Sequence, residues 1–77
     1  MTDIRELDVV RLREDMPAKG LRRGEGGTVV HQYRDGMLEV EFSDDEGETY
    51  AMATVSPKQV ELAWANPKVR SPVPGDG

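Results

Sequence analysis

The chain has 77 residues, no cysteine, 32% charged residues and a net charge of −5 at pH 7. This length allows one small domain, and the lack of cysteine excludes a disulfide scaffold, a cysteine zinc site and a thiol nucleophile. No apolar run approaches the ~18 residues that span a membrane, and the N-terminus lacks the pattern of a signal peptide. We therefore expect a cytoplasmic protein with no membrane partner.

Turn signals recur at short intervals along the chain, and the segments between them are short and rich in β-branched residues. This pattern predicts an all-β fold. A long irregular loop with Pro17 and Gly20 separates the first two predicted strands, and a 3₁₀ turn is expected over 56–59. The predicted strands are 6–13, 28–33, 37–42, 48–55 and 60–62.

The order of these elements predicts a small five-stranded SH3-like barrel over residues 4–64, followed by a disordered tail over 65–77. Closure of the sheet would remove the edge strands that an open sheet exposes. The third strand alternates cleanly, so we expect Leu38, Val40 and Phe42 inside. For the fourth strand, Tyr50/Met52 and Ala51/Ala53/Val55 are equally good candidates for the buried face. Trp64 could fold back over one end of the barrel or stand exposed, and packing is the expectation because a tryptophan usually buries most of its surface.

Charge is distributed unevenly along the chain. Residues 35–62 hold eight acidic side chains against a single lysine, a net of −7, whereas residues 1–34 have a net of +1. An acidic block repels phosphate backbones and attracts cationic partners, although a well-solvated hairpin is the simpler explanation of the same charges. The candidate partner-binding residues are Glu39, Glu41, Asp44, Asp45, Glu46 and Glu48.

A set of short motifs resembles a family of small bacterial proteins catalogued as a domain of unknown function (number 4926). The resemblance covers residues 6–62 and implies an SH3-like fold without an established activity. It also implies genomic proximity to small toxin-like genes, which suggests an antitoxin or immunity role. The matching residues are Glu6-Leu7-Asp8-Val9-Val10, Asp15-Met16-Pro17, Gly20-Leu21, Gly24-Glu25-Gly26-Gly27-Thr28-Val29-Val30, Tyr33, Asp35-Gly36, Glu39-Val40-Glu41-Phe42, Gly47 and Thr49.

The glycine-rich segment 24–29 is also similar to the start of KOW-type segments of ribosomal and transcription-elongation proteins. Glycines in such a corner permit a tight entry into a strand, which any small barrel needs. Arginines in or near the first long loop would form a basic patch if they cluster, but acids are interleaved with them and aromatic stacking partners are few. This alternative nucleic-acid patch consists of Arg11, Arg13, Arg22 and Arg23.

Catalysis finds little support in the sequence. His31 is the only histidine, and no serine or acid stands in a triad arrangement with it. The acids at 44–48 lack the spacing of a calcium loop, and no residues indicate a cofactor. The first loop lacks the aromatic residues of a proline-peptide groove. We expect no enzyme activity, no metal and no cofactor.

The sequence therefore favours a small protein-interaction module whose acidic hairpin or open strand edge docks a partner protein. An antitoxin or immunity partner is the most specific form of this hypothesis. The alternatives are a KOW-like RNA- or ribosome-associated module, which we rank lower because acids are interleaved with the arginines and aromatic residues are few, and a homodimer through a sheet edge.

Overall fold

The computed structural model describes residues 4–67, which form one antiparallel five-stranded sheet. The strands follow one another in the order β4-β3-β2-β1-β5, so four of them form a meander and the last returns beside the first. The all-β prediction is confirmed. The elements are β1 (Val9–Leu12), a 3₁₀ turn (Pro17–Lys19), β2 (Gly26–Gln32), β3 (Leu38–Ser43), β4 (Thr49–Val55), a second 3₁₀ turn (Pro57–Gln59) and β5 (Val60–Trp64).

Strands β4 and β5 form the two edges of the sheet, and no ladder joins them within the described residues. The strand order is compatible with the predicted SH3-like barrel, but the sheet is not closed by hydrogen bonds. The first strand is also shorter than the predicted 6–13. Residues 6 and 7 form a turn in which Leu7 has a φ of +72° and the N–H of Asp8 donates to Arg5 O at 3.1 Å.

The core lies on one face of the sheet, where alternate residues of each strand point inward. The predicted inward set of β3 is confirmed, since all three of its members are buried. In β4 the buried face is that of Ala53 and Val55, with Ala51 half-buried, whereas Tyr50 and Met52 are exposed. The buried hydrophobic residues are Ile4, Val10, Leu12, Leu21, Val29, Leu38, Val40, Phe42, Ala53, Val55 and Val60.

Trp64 is 51% exposed, so the expectation that it packs over one end is wrong. A register shift between β1 and β5 explains its position. Val10 pairs with Leu62, but Val9 pairs with Trp64, leaving Ala63 as the extra residue. Paired residues of antiparallel strands point to the same face, and Val9 points away from the core that holds Val10. The bulge therefore turns the indole outward.

Two glycines are required for clear physical reasons. A Cβ on Gly27 would lie 2.6 Å from Val40 Cγ1 and 2.8 Å from Glu41 O, so the close approach of β2 to β3 excludes any side chain there. Gly36 has a φ of +93°, and its N–H donates to Tyr33 O at 3.0 Å. The hairpin predicted at Asp35-Gly36 is thereby confirmed.

A buried carboxylate joins the two ends of the described chain. Asp8 is fully buried and accepts hydrogen bonds from the N–H of Arg5 at 2.9 Å and from the N–H of Asn66 at 2.8 Å. Asn66 Nδ2 also donates to Leu7 O at 3.3 Å. Residues 65–67 thus belong to the described part of the chain, whereas the rest of the predicted tail, 68–77, lies outside the described residues.

Candidate functional site

One row of side chains crosses all five strands on the face opposite the core. The pairing registers place its members side by side, and neighbouring strands are about 4.8 Å apart, so the row is about 19 Å long. We call this row, together with Glu39 and Thr54 beside it, the outer face. The row consists of Trp64, Val9, Thr28, Glu41 and Met52 in spatial order.

The carboxylate of Glu39 is held in a fixed position on the outer face. Its Oε1 accepts hydrogen bonds from Thr54 Oγ1 at 2.6 Å and from the Tyr33 hydroxyl at 3.2 Å. Partial desolvation, together with the hydrogen bond to Glu39, raises the pKa of Tyr33 above its ordinary value, so this phenol stays a donor over the physiological range. No residue between 4 and 67 donates to the other carboxylate oxygen, which is open to a cationic partner.

Glu41 is half-buried between Thr28 and Met52 in the row. Its side chain makes no hydrogen bond or ion pair with any residue between 4 and 67. Met52, its neighbour on β4, is 43% exposed. The outer face therefore presents carboxylates and apolar side chains next to one another.

The remaining predicted acids lie elsewhere, in the turn between β3 and β4. Asp44 Oδ1 accepts hydrogen bonds from the N–H groups of Glu46 and Glu48, both at 2.9 Å, so this carboxylate stabilises the turn. Asp45, Glu46 and Glu48 are exposed. The six predicted partner-binding residues are thus split between the outer face and the turn. In the described part of the chain, no group of three or more histidines or acids is placed to hold a metal ion.

Three of the four predicted arginines lie together. Arg11, Arg13 and Arg23 line one concave pocket of about 330 Å³, which Glu61 also lines. Arg22 faces a neighbouring pocket beside Asp15. The predicted basic patch therefore forms around three of its members.

His31 pairs with Glu39 of the outer face across β2 and β3. Its Nδ1 is 3.6 Å from Glu6 Oε2, and its ring meets that of Tyr33 edge-on with centroids 4.5 Å apart. The histidine is exposed. Such a contact is typical of a surface side chain.

Sequence reasoning missed the contribution of Trp64, Val9 and Met52 to the outer face. Alternation alone places Val9 and Met52 outward once the buried face of each strand is known. The position of Trp64 depends on the bulge at Ala63, which has no sequence signal of its own.

No helix between residues 4 and 67 is long and hydrophobic enough to cross a bilayer. The chain is thus a single-sheet all-β domain that carries an acidic and apolar outer face and a separate arginine pocket. Its sequence matches the family model described as Domain of unknown function (DUF4926) over residues 6–62, and the chain belongs to that family. No curated protein matches the chain, and no solved structure matches it.

Proposed function

We propose that this domain is a non-catalytic protein-interaction module that binds a basic, partly apolar segment of a partner protein on its outer face. One observation carries the proposal: Glu41 lies in the same row as Met52 and Trp64, with the fixed carboxylate of Glu39 beside it. Carboxylates provide ion pairs for lysine or arginine, and the exposed thioether and indole provide apolar contact area.

The charge of the chain supports a cationic partner. The net charge of −7 over residues 35–62 attracts basic segments from a distance and accelerates their association. A row of about 19 Å accommodates an extended segment of about six residues, at about 3.3 Å per residue. An antitoxin or immunity protein that binds the product of a neighbouring gene in the cytoplasm is the most specific form of this proposal.

Charge reversal tests the proposal and distinguishes the outer face from the turn. We expect the double variant Glu39→Lys/Glu41→Lys to bind the neighbouring gene's product at least about tenfold more weakly, because like charges then face the basic segment. The matched control is Asp45→Lys/Glu46→Lys, which changes the charge equally but lies in the turn between β3 and β4. Titration calorimetry measures the affinities, and thermal melting confirms that both variants fold.

Equal weakening by both variants would mean that only net charge matters, and unchanged binding by the first would exclude the outer face. Asp44 is omitted from these variants because its carboxylate stabilises the turn.

A homodimer through the β4 edge is the competing explanation for an exposed sheet. Sedimentation of the purified protein distinguishes the two, since a dimer would be seen without any partner.

A further inference from the structure

The arginine pocket shares no residue with the outer face and is constructed differently. Arg11 lies in β1, Arg13 directly follows the end of β1, and Arg23 lies in the loop that precedes β2; all three line the pocket. Within residues 4–67, none of these three guanidinium groups forms an ion pair. Three guanidinium groups face a single carboxylate, Glu61, in this lining, so a bound anion would reduce their mutual repulsion.

Backbone hydrogen bonds hold the arginine pocket in shape. The N–H of Gly24 donates to Leu12 O at 2.8 Å, and the N–H of Leu12 donates to Glu25 O at 2.9 Å, which fastens the loop to β1. Arg13 Nε donates to Val60 O at 3.0 Å. That bond orients the guanidinium group and leaves its two terminal nitrogens for a ligand, which lowers the entropic cost of binding.

The carboxylates closest in sequence to these arginines accept hydrogen bonds from groups other than the three guanidinium groups. Asp15 Oδ1 accepts the N–H of Arg23 at 2.8 Å, and Glu14 Oε2 accepts Gln59 Nε2 at 3.3 Å. Both oxygens of Glu25 are used, one by the Tyr50 hydroxyl at 2.7 Å and the other by the N–H of Arg22 at 2.6 Å. Glu61 is the one carboxylate among the residues that line the pocket.

We propose that the arginine pocket binds the phosphate group of a compact phosphorylated small molecule. Its lining carries three guanidinium groups and one carboxylate, a net charge of +2 that matches a phosphate monoester dianion. Guanidinium groups bind phosphate oxygens through paired N–H donors. The volume of about 330 Å³ holds a phosphate and a small attached group. The net charge of −7 over residues 35–62 repels the further phosphates of a nucleic-acid strand, which favours a ligand with a single phosphate.

The test is an NMR titration of the isotopically labelled protein with inorganic phosphate and with glycerol phosphate, against sodium chloride at equal ionic strength. We expect saturable shifts confined to the amides of residues 11–13, 23–24 and 61. Arg13→Gln and Arg23→Gln should each weaken binding by about threefold to fivefold, as expected for exposed charge pairs. Arg34→Gln is the matched control, because Arg34 lies in the turn at the opposite end of β2.

Glu61→Gln gives a readout that unfolding cannot imitate. This substitution removes the only carboxylate of the lining, so phosphate should bind about threefold more tightly. Equal shifts with chloride, or equal weakening in Arg34→Gln, would overturn the proposal.

A single-stranded oligonucleotide is titrated in parallel. If it binds more tightly than the small phosphates with a steep salt dependence, the ligand is a nucleic acid and the small-molecule proposal is wrong.

Discussion

Glu25 and Tyr50 form a hydrogen bond of 2.7 Å between the loop before β2 and the edge strand β4. The hydrogen bond from Tyr50, followed by that from the N–H of Arg22, lowers the pKa of Glu25, and the same phenol–carboxylate contact raises the pKa of Tyr50. The contribution of Glu25 to stability is therefore present above its ordinary pKa and is lost as the pH falls through the lowered value. The contribution of Tyr50 to stability is present below its ordinary pKa and is lost as the pH rises through the raised value.

Replacing Tyr50 by phenylalanine tests this contact. We expect the pKa of Glu25 in Tyr50→Phe to rise toward its ordinary value, because the principal cause of its depression is removed. The loss of stability at neutral pH should stay below about 1 kcal/mol, since the pair is exposed to solvent. Carboxyl-detected NMR over the acidic range measures the first quantity and urea unfolding the second. A pKa of Glu25 that does not move would contradict the hydrogen bond.

The turn between β3 and β4 depends on one of its acids. Asp44→Ala removes the acceptor of two backbone N–H groups, so we expect a loss of about 1 kcal/mol in the free energy of unfolding. Asp45→Ala, one residue away and exposed, should change that free energy by less than about 0.5 kcal/mol. Chemical denaturation of the two variants under one set of conditions measures the difference. Equal losses would show that the turn is stabilised by something other than Asp44.

At the scale of elements, the sequence allowed the strands and turns to be predicted better than their mutual register. β3 was predictable because strict alternation of Leu38, Val40 and Phe42 with acids leaves a single burial pattern. β1 was predicted too long because Glu6 and Leu7 continue its apolar–polar pattern, although Leu7 adopts a left-handed turn conformation. Short-range patterns do not report such a break when no glycine or proline marks it.

For the candidate site, the sequence allowed the residues to be predicted but not their arrangement in space. The acids were identified from charge alone, but composition does not distinguish a carboxylate that stabilises a turn, such as Asp44, from one that lies on an open face, such as Glu41. The arginines were grouped by proximity along the chain, whereas their meeting depends on the hydrogen bonds that fasten Gly24 and Glu25 to β1. The first distinction depends on the conformation of one turn, because Asp44 accepts from residues two and four positions away, and the second depends on contacts between distant parts of the chain.

At the scale of the whole molecule, the described residues 4–67 form an open sheet with β4 and β5 at its edges, and hydrogen exchange tests this arrangement. We expect the amides of β3, which pairs with a strand on each side, to exchange slowly throughout. Every second amide of β4 should exchange quickly, because an edge strand of an antiparallel sheet directs alternate N–H groups to solvent. Mass spectrometry or NMR after transfer to heavy water measures the rates. Uniformly slow exchange along β4 would show that the sheet closes into a barrel in solution.

The pairing of β1 with β5 has a consequence for biosynthesis. The register joins Leu12 to Val60, and Asp8 receives the N–H of Asn66, a contact that spans 58 positions of the chain. A ribosome releases the N-terminal residues first, at about 5–20 residues per second. The meander from β1 to β4 can therefore pair while one side of β1 still awaits residues 60–66. Until that last segment emerges, β1 is an exposed edge at which neighbouring nascent chains can mispair, so a translational pause in this region would favour aggregation.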